Sequence, residues 1–137
     1  TPDGQQLRMP WLLTNSQSAE TYLRAVWDQH KLELVEDLYL ICLNGAHEAL
    51  GWVRVSSGGF DRTVVDARLI FGIALQAASS AIVVAHNHPS GEVEPSAADR
   101  AVTTRLKQAL ALLDIRLLDH VIVGGRQCMS MASAGFV

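Results

Sequence analysis

The sequence predicts an α/β fold in which one mixed β-sheet is flanked by helices. Of its 137 residues 49% are hydrophobic and 18% are charged, a globular composition that allows one full core without cross-links. Short apolar runs of strand length alternate with longer segments whose apolar residues recur at helical spacing. Gly-, Asn- and Pro-rich stretches separate these segments, as expected for the turns between elements.

Three helices are predicted from capping residues and helical periodicity. The first begins with a Ser cap at Ser16 and is expected to run to about His30. Asp66 caps the second helix, and Ser96 begins the third. In each segment the apolar residues fall on one helical face, so each helix is expected to pack against the sheet.

Five strands are predicted from the apolar runs. Asn44 and Gly45 form a strong turn signal between the first two, which are therefore expected to make a hairpin. Loops are expected at residues 56–59 and 89–95. The predicted strands cover residues 38–43, 50–55, 81–85, 115–123 and 127–131.

Charge and cysteine content limit the classes of function. The formal net charge is −3 and the basic residues are scattered, so the sequence gives no electrostatic support for DNA binding. Cys42 and Cys128 lack metal-type spacing and are expected to be buried free thiols in a reducing cytoplasm. The sequence shows no secretory signal and no apolar run of about 18 residues. Because the chain begins at Thr1 without methionine, we expect a fragment or a processed chain.

The pair His86 and His88 directly follows an apolar strand. Strand side chains alternate between faces, so residues two apart point the same way and can converge on one ion. Asp99, just inside the third helix, can add an oxygen ligand. Two imidazoles and one carboxylate, with an open position for water, are typical of a catalytic zinc site. The alternative is a pair of core histidines, which would need other buried partners.

Asp99 also has a purely structural interpretation. Ser96 and Asp99 fit the S-x-x-D capping box, in which the serine caps the helix and the acid reaches back to the cap amide. A carboxylate bound to zinc is less able to reach back, so the two roles are expected to coexist only partly.

Hydrolysis at a zinc site also needs an acid–base group, commonly a glutamate that is not a ligand. Glu36 stands at the entrance of the most apolar strand, where a carboxylate is poorly placed without a function. Glu92 and Glu94 lie on a Gly/Pro-rich loop, where simple solvation is the alternative. Periodicity does not choose among the candidates. These are Glu33, Glu36, Glu48, Glu92 and Glu94.

Together, Glu36, the segment His86–Gly91 and the segment Ser96–Asp99 resemble the JAMM motif of the JAB/MPN metalloenzymes, E…H-x-H-P…S-x-x-D. More narrowly, the chain is similar to the RadC family, bacterial proteins often labelled as DNA repair proteins. That similarity covers roughly residue 30 to the C-terminus. It rests on Ala85–Gly91, on Pro95–Ser96 with Asp99–Arg100, and on Leu118–Gly124.

The resemblance implies roles for five residues. His86, His88 and Asp99 would bind Zn²⁺, Glu36 would be the general acid and base, and Ser96 would hydrogen-bond the developing oxyanion. It also implies a cytidine-deaminase-like sheet between helices. Residues 1–33 would be an N-terminal extension and helix, and residues 34–137 the RadC-like JAB/MPN domain.

Three functions are compatible with this pattern. The first is a zinc-dependent hydrolase, a metallopeptidase or isopeptidase that acts on a peptide or protein. The second is a metal-dependent nucleic-acid enzyme, which the DNA repair label favours and the negative charge opposes. The third is a non-catalytic protein-interaction module with bound zinc. Specificity would reside in the loops at residues 56–63 and 91–94.

The dipeptide Asp119-His120 interrupts the fourth predicted strand. His120 is either a structural histidine bonded to Asp119 or to backbone, or a contact that supports the site from behind. The sequence leaves both interpretations open.

Overall fold

The computed structural model describes residues 11–56 and 66–137. The helices are α1 (Ser16–Val26), α2 (Ala67–Gln76) and α3 (Ala97–Ala111). The strands are β1 (Leu38–Leu43), β2 (Ala49–Ser56), β3 (Ala81–Asn87), β4 (Arg116–Val123) and β5 (Cys128–Ser130). Most of the loop predicted at residues 56–63 lies outside the described residues.

The strands form one mixed sheet in the order β2-β1-β3-β4-β5. β3 pairs parallel with β4 through the α3 crossover, and the other neighbours pair antiparallel. Every residue of β1 and β3 is buried. Strands covered on both faces need no polar alternation, which explains their continuous apolar sequences.

Helices cover both faces of the sheet. The buried side chains of α1 pack with Ile41, Val83 and Val121 on one face. The buried side chains of α2 and α3 pack with Leu40 and Val84 on the other face. The predicted α/β architecture is therefore confirmed. None of the described helices is long and apolar enough to cross a membrane.

The first helix begins at Ser16 as predicted, but its predicted cap and its predicted end are wrong. Asn15, rather than Ser16, is the N-cap, and its side chain accepts a hydrogen bond from the backbone of the first turn. The helix ends at Val26, not near His30, because Trp27 turns into an extended conformation and buries its indole in the core. Burial of this large ring outweighs continuation of the helix.

The predicted hairpin between β1 and β2 is confirmed. Asn44 Oδ1 accepts the backbone N–H groups of Ala46 and Glu48 at 2.9 and 3.0 Å, which closes the turn. His47 takes the left-handed conformation, with φ of 62°. The predicted cap Asp66 also accepts a bond from the Arg68 amide.

Leu110 and Leu112 offer a matched test of the core on the α3 face. Leu110 is fully buried, whereas Leu112, at the end of the same helix, is 86% exposed. We expect Leu110→Ala to lower the free energy of unfolding by about 2–5 kcal/mol, because it leaves a cavity. Leu112→Ala should change it by about 0.5 kcal/mol or less. Urea denaturation measures both, and equal losses would contradict this packing.

Candidate metal centre

His86, His88 and Asp99 converge where β3 ends against the first turn of α3. The His86 and His88 Nε2 atoms are 3.0 Å apart. Asp99 Oδ1 lies 3.4 Å from His86 Nε2, and Asp99 Oδ2 lies 3.5 Å from His88 Nε2. One ligand atom from each residue falls within 4.8 Å of the others, so this cluster could hold a metal ion.

The Asp99 carboxylate performs two tasks. The Ser96 N–H donates to Asp99 Oδ2 at 2.8 Å, and the Asp99 N–H donates to Ser96 Oγ at 3.0 Å. The predicted capping box is therefore present, while the same carboxylate faces both histidines. The sequence predicted that helix capping and metal binding by Asp99 coexist only partly. The structure accommodates both positions more fully, because a carboxylate has two oxygens with several lone pairs.

The donor set fits a cation. His88 Nδ1 lies 2.8 Å from the Glu92 carbonyl oxygen, which can only accept, so Nδ1 carries a hydrogen. The lone pair of neutral His88 is therefore on Nε2, beside His86 Nε2 and the carboxylate. Nitrogen and carboxylate donors this close repel one another unless a proton or a metal ion lies between them, and this donor set suits zinc. His86 and Asp99 are buried, whereas the His88 side chain is 19% exposed, so solvent reaches one side.

Charge in the cluster is strongly coupled. Burial raises the pKa of Asp99, but hydrogen bonds from the protonated forms of His86 and His88, together with the Ser96 amide, outweigh it and hold the pKa well below its usual range. The hydrogen bond to Asp99 raises the pKa of His88, against the effect of burial, and the negative charge of Glu36 adds to the increase. The carboxylate is therefore ionised.

Buried Asn87 holds the segment that carries Glu36. The bonds are Asn87 Nδ2 to the Leu32 and Val35 carbonyl oxygens at 2.7 and 2.8 Å, and the Asp37 N–H to Asn87 Oδ1 at 2.7 Å. These three hydrogen bonds fix the backbone on both sides of Glu36. Leu38 pairs with His86 in the sheet, so the segment that precedes β1 lies beside the metal cluster. Partly buried Glu36 lies close enough for its charge to act on His88.

The other glutamates considered as acid–base groups are placed differently. Glu33 and Glu94 are exposed. Glu48 lies in the β1–β2 turn, beyond the opposite end of β1, and accepts a bond from Asn44 Nδ2. Glu92 contributes its backbone carbonyl to His88. Of the candidate glutamates, we therefore expect Glu36 to be the acid–base group, because its negative charge is near enough to raise the pKa of His88.

Fully buried His120 lies behind His86. His120 Nε2 is 2.7 Å from His86 Nδ1, while the His120 backbone N–H donates to Asp119 Oδ1 at 2.8 Å. Both interpretations left open by the sequence therefore apply. The His120 backbone bonds Asp119, and the His120 side chain contacts the site from behind. Burial is the largest cause that lowers the pKa of His120, to about 3. The imidazole is therefore neutral near pH 7.

Sequence reasoning missed Thr103 and Asn87. Thr103 follows Asp99 by four residues in α3, so the helical period that places both on one face could have found it. Asn87 lies between the two histidines and faces the other way, toward the segment before β1. Its role depends on a contact 50 residues away, which no local pattern signals.

Comparisons with known proteins agree with this arrangement. The family model described as the RadC-like JAB domain matches residues 13–136. The chain is 41% identical over 133 residues to a UPF0758 protein of Coxiella burnetii, and 39% identical over 132 residues to one of Halorhodospira halophila. These alignments cover 97% and 96% of this chain. The chain spans 58% of the length of each of these curated relatives.

Proposed function

Because the chain belongs to the RadC-like JAB domain family, we propose that it is a zinc-dependent hydrolase of peptide or isopeptide bonds. The convergence of His86, His88 and Asp99 is the observation that carries the proposal, and the effect of the Glu36 charge on His88 supports it. These three residues would hold Zn²⁺. A peptide or protein in the cytoplasm would be the substrate.

A bound zinc ion supplies Lewis acidity, which lowers the pKa of water and polarises a carbonyl group. Glu36 accepts the proton of the water that attacks the substrate carbonyl and returns it to the leaving amine. Ser96 Oγ already accepts the Asp99 N–H, and its side chain is exposed. The Ser96 O–H is thus available to donate to the carbonyl oxygen as negative charge develops, a contribution of about 3–4 kcal/mol for a well-placed donor.

The test is cleavage of a peptide library derived from a bacterial proteome by the zinc-loaded protein. We expect new peptide termini in mass spectra, absent with a chelator. Single- and double-stranded DNA are incubated in parallel, because RadC proteins are often labelled as DNA repair proteins. The net charge of −3 gives no support for DNA as substrate. DNA cleavage without peptide cleavage contradicts the proposal, and cleavage of neither favours a protein-interaction module.

Two neighbouring glycines test the loop that holds His88. A Cβ on Gly124 would lie 2.6 Å from the Gly91 carbonyl oxygen and 2.9 Å from Val93 Cγ1, whereas one on Gly125 would meet nothing within 4 Å. Gly124→Ala should displace the loop that bonds His88 Nδ1 and lower zinc affinity about 10-fold or more. Gly125→Ala should leave it unchanged. Competition titration with a chromophoric chelator measures both, and equal affinities would contradict this role of the loop.

A further inference from the structure

A continuous chain of hydrogen bonds runs from the backbone of α3 to His86. Thr103 Oγ1 lies 2.7 Å from the Asp99 carbonyl oxygen and 2.6 Å from His120 Nδ1. His120 Nε2 lies 2.7 Å from His86 Nδ1. All four residues are buried, with exposed fractions of 2% or less.

The chemistry of the first member sets the direction of the whole chain. The Asp99 carbonyl oxygen can only accept, so the single hydroxyl hydrogen of Thr103 points to it. A threonine hydroxyl donating to the carbonyl four residues earlier is a common helical pattern. Met131 Sδ, at 3.7 Å, is a longer and weaker alternative acceptor. If the hydrogen pointed elsewhere, two oxygen lone pairs would face each other at 2.7 Å.

Thr103 must then accept from His120, so the hydrogen of the His120 ring is on Nδ1. The ring is buried between the Thr103 hydroxyl and His86, with no carboxylate bonded to it among the described residues, so it carries one hydrogen and its Nε2 is an acceptor. His86 must donate to that acceptor, so His86 carries its hydrogen on Nδ1. The lone pair of neutral His86 is therefore on Nε2, the atom that faces His88 and Asp99.

We propose that His120 and Thr103 are positioning residues that fix the Nδ1–H tautomer of His86 and aim its Nε2 lone pair at the metal cluster. The inference rests on the proposed metal site. The series of hydrogen bonds starts at the backbone of Asp99. The same helical turn therefore places the Asp99 carboxylate and also orients the His86 imidazole. His88, by contrast, is oriented by a carbonyl of an exposed loop.

The tautomers can be read without metal and without activity. Two-bond ¹H–¹⁵N spectra of the metal-free protein labelled at histidine, recorded near pH 8, distinguish the two ring nitrogens. We expect protonated Nδ1 and unprotonated Nε2 for both His86 and His120, the tautomer that free imidazole side chains in water favour less. An Nε2–H signal for His86 or His120 would overturn the inference.

Thr103→Val keeps the shape of the side chain but removes the hydroxyl that sets the direction. We expect His86 to populate the Nε2–H tautomer and zinc affinity to fall about 10- to 100-fold, the usual effect of losing a partner behind a metal ligand. Thr103→Ser restores the hydroxyl and should return both readouts to wild type. Thr104→Val is the matched control, because Thr104 makes the same bond to the carbonyl four residues earlier but is exposed.

The outcomes separate this inference from the proposed function. If no substrate is cleaved but the tautomers and the zinc affinities behave as expected, the hydrolase proposal fails and the positioning role stands. If peptides are cleaved but Thr103→Val keeps the wild-type tautomers and affinity, the positioning role alone is wrong. If Thr103→Val does not fold, the tautomers of the metal-free wild type still decide the point.

Discussion

Replacing Glu36 by glutamine is expected to lower the turnover of the zinc-loaded protein about 10²- to 10⁴-fold, the usual contribution of a general acid–base group. Glutamine has nearly the same shape but cannot take up a proton. Asn87 bonds the backbone on either side of residue 36 and does not bond the Glu36 side chain. The substitution should therefore leave the position of this segment unchanged. Zinc content and the free energy of unfolding should therefore stay at wild-type values.

Glu33→Gln is the control for this change. Glu33 lies three residues earlier and is exposed, and its substitution removes the same single negative charge. We expect wild-type turnover, measured on the same peptide substrate with zinc content determined in each sample. Full turnover by Glu36→Gln, or an equal loss in both variants, would contradict the role of Glu36.

Replacing a ligand should abolish tight zinc binding. His88→Ala removes the donor that lies on the solvent-facing side of the cluster, where the side chain is 19% exposed. Asp99→Asn removes the negative charge but keeps an oxygen that can accept the Ser96 amide, which preserves the helix cap. Loss of a partner behind a ligand costs about 10- to 100-fold in affinity, so loss of a ligand should cost more than about 100-fold.

His30→Ala is the matched control for the histidine change, because His30 is exposed and distant in sequence from the three candidate ligands. Inductively coupled plasma mass spectrometry after dialysis should find about one zinc per wild-type and His30→Ala chain. It should find almost none in the two ligand variants. Retention of zinc by both ligand variants would place the ion elsewhere.

The candidate ligands follow from local sequence. His86 and His88 are two residues apart on a strand, and Asp99 lies in the first turn of a capped helix, so periodicity places each side chain. What brings the two segments together is the loop between β3 and α3, with its proline at each end. That segment is short enough for the sequence alone to indicate the convergence.

The remaining parts depend on tertiary register. Glu36 lies near the cluster because β1 pairs antiparallel with β3, with Leu38 opposite His86. His120 lies behind His86 because β4 runs parallel to β3, which brings His120 opposite Val84. Neither register can be read from composition or periodicity, so the sequence could not choose among glutamates or between the two roles of His120.

The predicted end of α1 was wrong for a different reason. Helical spacing continued beyond Val26, yet Trp27 stacks on Tyr39 with ring centroids 4.0 Å apart. Burial of an aromatic pair is worth more than the few tenths of a kcal/mol per residue that distinguish helix propensities. Local preference therefore gave way to packing.

Anomalous diffraction at the zinc edge from crystals of the zinc-loaded protein would show directly whether His86, His88 and Asp99 bind the ion. We expect one strong peak, at about 2.0–2.2 Å from His86 Nε2, His88 Nε2 and an Asp99 carboxylate oxygen, with the fourth position not taken by protein. A peak at Cys42 or Cys128, or a fourth protein ligand that closes the site, would contradict it.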